Sequence, residues 1–315
     1  VSTFFMVDTI VASDPAQLKR ALGARLLRFK QLSLALAAGV AAASANAASF
    51  DVMCEVNALG PHRCAIQLSG AIEPGDAVRL DALVRKTTSS SPSRFVVWLV
   101  LDSPGGDLRE AILLAEVVRD RLLWTTNLHV LRDGFRSRTE NEAAGFACAS
   151  SCLLVLVSGG NRILISNPTA NARIGLHRPY LTRSTQERLS VGEAARLQQD
   201  IEELTRRFLQ RERVPTHLVD EMMARSSTQV YWLDGSDLLT LGSGYSFWFE
   251  ELMTARCGWD KDRYFKLLEE ASEAPESQRS RLERRFADYA GRVQDCVNSL
   301  TRQAQLAPPS RPAFR

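Results

Sequence analysis

Two stretches of the chain hold the residue types that acyl-transfer chemistry needs. The first runs from Cys148 to Pro179. It carries a serine in a small-residue approach, Ala149-Ser150-Ser151, and its last apolar segment ends in a single histidine, His177. The second runs from Phe95 to Val118, where an apolar strand breaks at Ser103-Pro104-Gly105-Gly106 and restarts as a helix. A serine hydroxyl is a weak nucleophile until a base lies within hydrogen-bond reach, and His177 is the candidate base. A glycine turn with free backbone N–H groups is the kind of structure that stabilises an oxyanion. Pro104 fixes the chain entering that turn, and Gly105-Gly106 can take positive φ with no Cβ in the way. A helix start after Ser150 adds its dipole to the same spot. Each feature also has a plainer role: Ser150 as a small residue for close packing, His177 as a structural imidazole, the glycines as a simple turn. His62, His129 and His217 stand in no motif.

From Ile66 to Gly242 the chain resembles the proteolytic-subunit family of the Clp proteases, within the wider Clp/crotonase fold. The resemblance rests on Leu68-Ser69-Gly70-Ala71-Ile72, Ser103-Pro104-Gly105-Gly106, Ala149-Ser150, Gly159, Arg173-Ile174-Gly175-Leu176-His177-Arg178-Pro179 and Leu241-Gly242, in that order. It implies an α/β fold of repeated β-β-α units with a C-terminal α-helical extension. It also implies Ser150 as nucleophile, His177 as base, and the backbone N–H groups of Gly106 and Ser151 as oxyanion hole. Counting back from Gly159 puts Ser150, not its neighbour Ser151, in register. The cysteines flanking the serine, Cys148 and Cys152, resemble an exported branch of the family.

The third member of the triad is the point of departure. The resemblance puts the orienting aspartate just before Tyr231-Trp232, where Gln229 and Val230 stand; Asp220 lies too early and Asp234 reads as a helix cap. Without a carboxylate the histidine loses the partner that sets its tautomer and stabilises its cation, a loss of roughly 10⁴ in kcat in the worked serine-protease template. A serine–lysine dyad is no escape. After the leader only Lys86, Lys261 and Lys266 remain, none at a matching position.

The elements that must position these residues are legible in outline. Phe50 to Val56 and Arg63 to Leu68 alternate as two strands around an Asn57–Pro61 turn. Gly75 to Lys86 reads as a helix, Thr87 to Ser93 as a polar loop, and Arg94 to Leu101 as a strand buried on both faces. Asp107 and Glu110 form a capping-box-like helix start before an apolar stripe from Leu108 to Leu122. Leu128 to Leu131 reads as a strand. Arg132 to Gly145 is polar and, against the family's spacing, an insertion: either a lid or an ordinary surface loop. Leu153 to Val157 has strand propensity, but the resemblance makes it the helix after the nucleophile. Thr185 to Arg211 reads as one amphipathic helix. The resemblance gives it a protruding role in joining subunits into a homo-oligomer, and the plain alternative is a core-facing helix. Val230 to Leu233 is a strand, followed by a short helix capped by Asp234 and stopped by Gly242. Two helices follow, Asp260 to Ala271 and Ser277 to Arg302, then a Pro-rich tail of disordered composition.

Composition, at 45% hydrophobic and 24% charged, is that of a soluble globular protein. Basic residues from Lys19 to Lys30, an apolar run from Leu32 to Ala43 and Ala45-Asn46-Ala47 read as a signal peptide cut after Ala47, with Met6 as the expected start. The run is shorter than the roughly 20 residues of a spanning helix, so membrane contact is expected only through an uncleaved leader. The net charge of +3 comes from this leader, which holds five of 39 basic and two of 36 acidic residues and leaves 34 of each behind. Nucleic acid is therefore no expected partner. Six cysteines after the leader favour disulfides in an oxidising compartment, periplasmic or secreted. Local spacing suggests Cys54–Cys64, Cys148–Cys152 and Cys257–Cys296; no metal and no cofactor is expected.

The domain expectation is thus a signal peptide at 1–47, a peptidase-like domain at 48–248, a helical extension at 249–304 and a tail at 305–315. The functional expectation is an exported, ATP-independent serine-type endopeptidase acting on peptides or unfolded proteins through a Ser-His pair. The alternative is a catalytically impaired binding or scaffold protein of the same fold. Acyl-CoA chemistry is a third class, disfavoured by the leader. N-terminal sequencing of the exported protein should find Ala48, and thiol counting under denaturing conditions should find no free cysteine. An intact leader with six reactive thiols would overturn the compartment expectation.

Overall fold

The scaffold is a mixed α/β arrangement of two sheets with helices packed on them. The computed structural model describes residues 48–55, 63–90, 97–127, 146–164, 173–226 and 228–308. The expected leader, the turn at Asn57–Pro61, His62, the strand at Leu128–Leu131 with His129, the polar segment Arg132–Gly145 and the tail from 309 onward lie outside these residues.

Strands β1 (Ser49–Glu55) and β2 (Arg63–Ser69) pair antiparallel, with Cys54 opposite Cys64 and a disulfide between them. Strand β3 (Trp98–Asp102) lies parallel to β2, followed by β4 (Trp124–Thr126) and β6 (Asn161–Ile163), also parallel; β9 (Gly244–Tyr245) closes the edge antiparallel. Four of the five β3 residues are buried, as an apolar strand covered on both faces requires. The second sheet holds β5 (Ala147–Ala149), β7 (Arg173–Leu176) and β8 (Tyr231–Trp232), with β7 central. Two isolated bridges, Ser103 to Cys148 and Ile72 to Gly106, carry pairing on from the end of β3.

Helices alternate with these strands: α1 (Asp76–Ser90) after β2, α2 (Leu108–Asp120) after β3, α3 (Cys152–Val157) after β5. Asp107 caps α2 by accepting from the Glu110 N–H at 2.8 Å. The Glu110 side chain does not reach back to complete the box. It is buried and accepts from the Ala77 N–H of α1 at 2.7 Å, so one carboxylate serves the start of the neighbouring helix. Every residue of α3 is buried. A segment enclosed on all sides has no need of amphipathic periodicity, and the strand propensity of its leucines and valines is overruled by packing. Gly159 follows α3 where a Cβ would sit 2.1 Å from Thr125 Oγ1; that hydroxyl donates to the Leu156 carbonyl, tying β4 to the end of α3.

Several boundaries depart from expectation for identifiable reasons. Helix α1 continues through Thr87 to Ser90, because Thr87 and Thr88 are buried and Thr88 bonds both Val84 O and the Gln305 side chain. The single helix expected over Thr185–Arg211 is two, α4 (Arg183–Gln186) and α5 (Val191–Arg211). Ser190 and Glu193 form a reciprocal capping box that starts α5 afresh. Helix α6 (Thr216–Ala224) was not anticipated. Helix α7 (Gly235–Leu241) is capped by Asp234 and ends at Gly242, at φ 79°, as the residues imply.

The C-terminal part has three helices where two were expected: α8 (Phe247–Cys257), α9 (Lys261–Glu273) and α10 (Glu276–Leu306). Phe249, Met253, Tyr289, Val293 and Val297 give them a core of their own, and Cys257–Cys296 joins α8 to α10. Helix α10 includes Gln305 and Leu306, which the sequence assigned to the tail. Its end is anchored by Arg121, which is 2% exposed. This guanidinium donates to the carbonyls of Ala304 and Ala307, at 2.6 and 2.7 Å, and to Asp81 at 2.7 Å. A cation at a helix C-terminus meets the last free carbonyls and the negative end of the dipole together. Among the described residues no helix is long and apolar enough to cross a membrane.

Arg121→Met should therefore destabilise the protein by roughly 3–5 kcal/mol, the range for removing one partner of a buried pair, and open the segment after Phe249 to limited proteolysis. Urea unfolding gives the first quantity. A change below about 1 kcal/mol would place the bond in the surface class.

Candidate active site

Ser150 occupies the turn between β5 and α3 at φ 57°, in the left-handed region. For a residue with a Cβ this conformation is strained, at about 1–3 kcal/mol, and persists only where the surroundings determine it. Here they do. The Ser150 N–H donates to Gly175 O of β7 at 3.0 Å, and Ser150 O accepts from Leu153 N of α3 at 3.0 Å. Cys148 and Cys152, both fully buried, are joined across the turn.

The glycine turn presses on the same point from the other side. A Cβ on Gly105, at φ 95°, would lie 2.6 Å from Ser150 Cβ and 2.8 Å from Ala149 O; a Cβ on Gly106, at φ 152°, would lie 2.2 Å from Ile72 O. No other residue type fits either position without moving backbone. Ser103 secures the turn by accepting from the Gly105 N–H through its hydroxyl at 3.1 Å, while its own N–H donates to Ala147 O at 2.7 Å.

The two adjacent serines differ sharply. Ser151 is 5% exposed, whereas Ser150 is half-buried and open to approach. Ser151 Oγ accepts from the Gly106 N–H at 2.8 Å and donates to Gly106 O at 3.2 Å. Its hydroxyl is thus spent on the glycine turn, and it makes no side-chain cap for α3. No local pattern signals this contact, because the two residues lie 45 positions apart in the chain. In this state the Gly106 N–H expected in the oxyanion hole points at a hydroxyl already.

His177 follows directly after β7 and is 8% exposed. Because β5 and β7 run parallel with Ala149 opposite Gly175, Ser150 and His177 leave the same end of the second sheet. Among the described residues no hydrogen bond joins the Ser150 hydroxyl to the imidazole. The imidazole Nδ1–H donates to Arg178 O at 3.0 Å. A carbonyl only accepts, so this bond places a proton on Nδ1; in the neutral imidazole Nε2 then carries the lone pair that a general base needs. Gly175 is required by β8: its Cβ would lie 2.6 Å from Val230 Cγ1 and 2.9 Å from the Trp232 ring. Tyr180, Val230 and Trp232 stay exposed on this side of the second sheet.

Among the described residues, the candidates for the third member are employed elsewhere. Gln229 sits in an exposed turn, its N–H donating to Ser226 O at 3.1 Å. Asp220 pairs with Arg206 at 3.3 Å on the surface. Asp237 accepts from the Tyr231 hydroxyl at 2.8 Å and lies 3.9 Å from His217. The bond to Asp237 holds the Tyr231 hydroxyl above its ordinary pKa, with burial adding to the effect. Among the described residues, neither Gln229 nor Asp220 makes a hydrogen bond or ion pair with His177. The loop after His177 is instead held by α5. Arg178 Nε donates to Glu202 Oε1 at 2.8 Å, and Gln198 Nε2 donates to Pro179 O at 2.7 Å. Burial opposes the Glu202 charge, but hydrogen bonds from Arg178 and Gln198 outweigh it and keep the carboxyl below its usual range.

A scan against protein-family models finds no match for this chain, and a search of curated proteins finds none either.

The Ser151–Gly106 contact is directly measurable. In Ser151→Ala the Gly106 amide loses its acceptor, and its hydrogen exchange should accelerate while stability falls by only about 0.5–1.5 kcal/mol. Unchanged exchange at Gly106 would mean that the amide is protected by other means.

Proposed function

We propose that this protein is an exported, ATP-independent serine peptidase of the Clp/crotonase type, cleaving peptides or unfolded chains through Ser150 and His177. The observation that carries the proposal is the backbone of Ser150. It is held at positive φ on a strand-to-helix turn, against a glycine turn, at the same sheet end as a histidine whose Nδ1–H is already bonded. That arrangement supports a half-buried nucleophile and a base whose neutral form offers Nε2. In the reaction, Ser150 Oγ attacks the scissile carbonyl while its proton passes to His177 Nε2. The oxyanion meets the N–H groups of Ser151 and Gly106 once the Ser151 hydroxyl swings aside. The C–N bond then breaks, the amine leaves with the proton from His177, and water hydrolyses the acyl-enzyme by the reverse path.

The exposed Tyr180, Val230 and Trp232 favour an apolar segment of an unfolded chain as substrate. Three disulfides, joining all six cysteines, suit an oxidising compartment and support export to the periplasm or beyond. ATP is not available there, hence the energy-independent reaction.

One set of contacts favours a second reading, a binding or scaffold protein of the same fold. Ser151 Oγ takes up the Gly106 N–H, and among the described residues no carboxylate bonds the His177 imidazole. Labelling with a fluorophosphonate separates the two. Wild type should be labelled at Ser150 and should cleave casein without ATP. Ser150→Ala and His177→Ala should each abolish both, and Ser151→Ala, which keeps its own backbone N–H and frees that of Gly106, should retain both. A folded wild type that takes no label yet binds unfolded casein would make the scaffold reading the correct one.

A further inference from the structure

We infer that Glu202 and Gln198 of α5 are positioning residues for His177, taking over through the loop backbone the orienting role that no carboxylate among the described residues performs directly. This rests on the peptidase reading for its catalytic consequence, but not for its structural content.

The imidazole is oriented by one bond, from Nδ1–H to the carbonyl of the next residue, Arg178. A bond between adjacent residues is only as well defined as the backbone that carries it. His177, Arg178, Pro179 and Tyr180 belong to no helix or strand, so no ladder fixes that carbonyl. It is fixed from both flanks by two side chains one turn apart on α5. Glu202 Oε1 accepts from the Arg178 guanidinium at 2.8 Å. Gln198 spans the next three residues, its Nε2 donating to Pro179 O at 2.7 Å and its Oε1 accepting from Leu181 N at 3.3 Å. The same Nε2 donates to Glu202 Oε1 at 2.5 Å, so the two side chains act as one clamp.

The spacing is the i, i+4 relation that puts both on one face of the helix. Pro179 contributes as well: it has no N–H, so its carbonyl is the group its peptide offers for anchoring. Glu202 is only part-buried and Arg178 half-exposed. As a stabilising ion pair this would count for little. Its use lies in geometry, since the charged hydrogen bond fixes the residue whose carbonyl selects the imidazole tautomer.

The experiment reads the imidazole itself, then the reaction. In ¹⁵N-histidine-labelled protein, long-range ¹⁵N–¹H spectra should show His177 of wild type with its proton on Nδ1. In Glu202→Ala and in Gln198→Ala the His177 signals should move toward the averaged pattern of a free imidazole. Circular dichroism and Tm should stay at wild-type values, since both residues lie on the open half of α5. Glu202→Gln, which still accepts from Arg178, should restore most of the wild-type pattern. Fluorophosphonate labelling should slow by about ten- to a hundredfold in the alanine variants, the penalty of a misplaced catalytic group, with the loss in the maximal rate and not in probe affinity. An unlabelled wild type whose His177 signals still respond to both substitutions would sink the peptidase reading and leave the clamp standing. His177 signals unchanged in both alanine variants would overturn the clamp.

Discussion

The structure depends on a contact between two pieces of backbone. Ser150 and the Ser103–Gly106 turn approach so closely that Gly105 has no room for a Cβ, and Gly106 is held as tightly against Ile72. Everything that defines the site extends from that contact. On one side, Gly105 O and Ile72 O take up the N–H groups of Ile72 and Asp107, so the turn is sewn to the segment after β2. On the other, Ser103 exchanges bonds with Ala147 and Ala149, which brings β5 to the end of β3. The second sheet is therefore hung on the glycine turn, and His177 arrives with it because β7 pairs with β5. One substitution at Gly105 would disturb nucleophile, turn and base together.

A strained serine is tolerable here because its neighbours are rigid for reasons of their own. The left-handed conformation of Ser150 opposes folding by about 1–3 kcal/mol. Against it stand the burial of all six α3 residues, the Cys148–Cys152 bridge and the two hydrogen bonds of the Ser150 peptide groups. The larger frame is held at a distance from the chemistry. Arg121 joins the end of α10 to α1 through Asp81, and Phe249 fills the space that Gly160 leaves beside its ring. The C-terminal helices thus brace the outer strands without touching Ser150 or His177.

What was legible in the sequence follows the range of the forces involved. Local signals held: Asp234 and Gly242 mark both ends of α7, the alternation of β1 and β2 is real, and the close pairings Cys54–Cys64 and Cys148–Cys152 form, as does Cys257–Cys296 across 39 residues. The Ser-Pro-Gly-Gly turn announced itself because only glycine fits positive φ at a close approach. What escaped depends on partners distant in the chain. Thr87 and Thr88 looked like loop residues until Gln305 covered them. The engagement of the Gly106 N–H by Ser151 Oγ, across 45 residues, leaves no local pattern. Nor does the hold of α5 on the residues after His177. The break before α5 was the exception: Ser190 followed three residues later by Glu193 is a local signature that the longer apolar stripe concealed.

With the Arg178 carbonyl as its partner, and no acid bonded to it among the described residues, the His177 imidazole is oriented without a full charge beside it. A carbonyl accepting from Nδ1–H selects the same tautomer that a carboxylate would. It offers a dipole in place of a full charge, so the imidazolium formed during proton transfer gains less from it. The two functions that a triad aspartate combines, orientation and charge stabilisation, are therefore separable in this fold. The first is present in the His177–Arg178 bond. The second is limited to whatever field the surrounding dipoles supply, and the nearest formal charge on that loop, the Arg178 guanidinium, is of the wrong sign. Glu202 neutralises it at 2.8 Å. An unpaired guanidinium next to a forming imidazolium would raise the barrier, and pairing it removes that penalty. On the peptidase reading proposed above, the Arg178–Glu202 pair would thus act on the histidine twice, once through geometry and once by cancelling a positive charge beside the forming imidazolium.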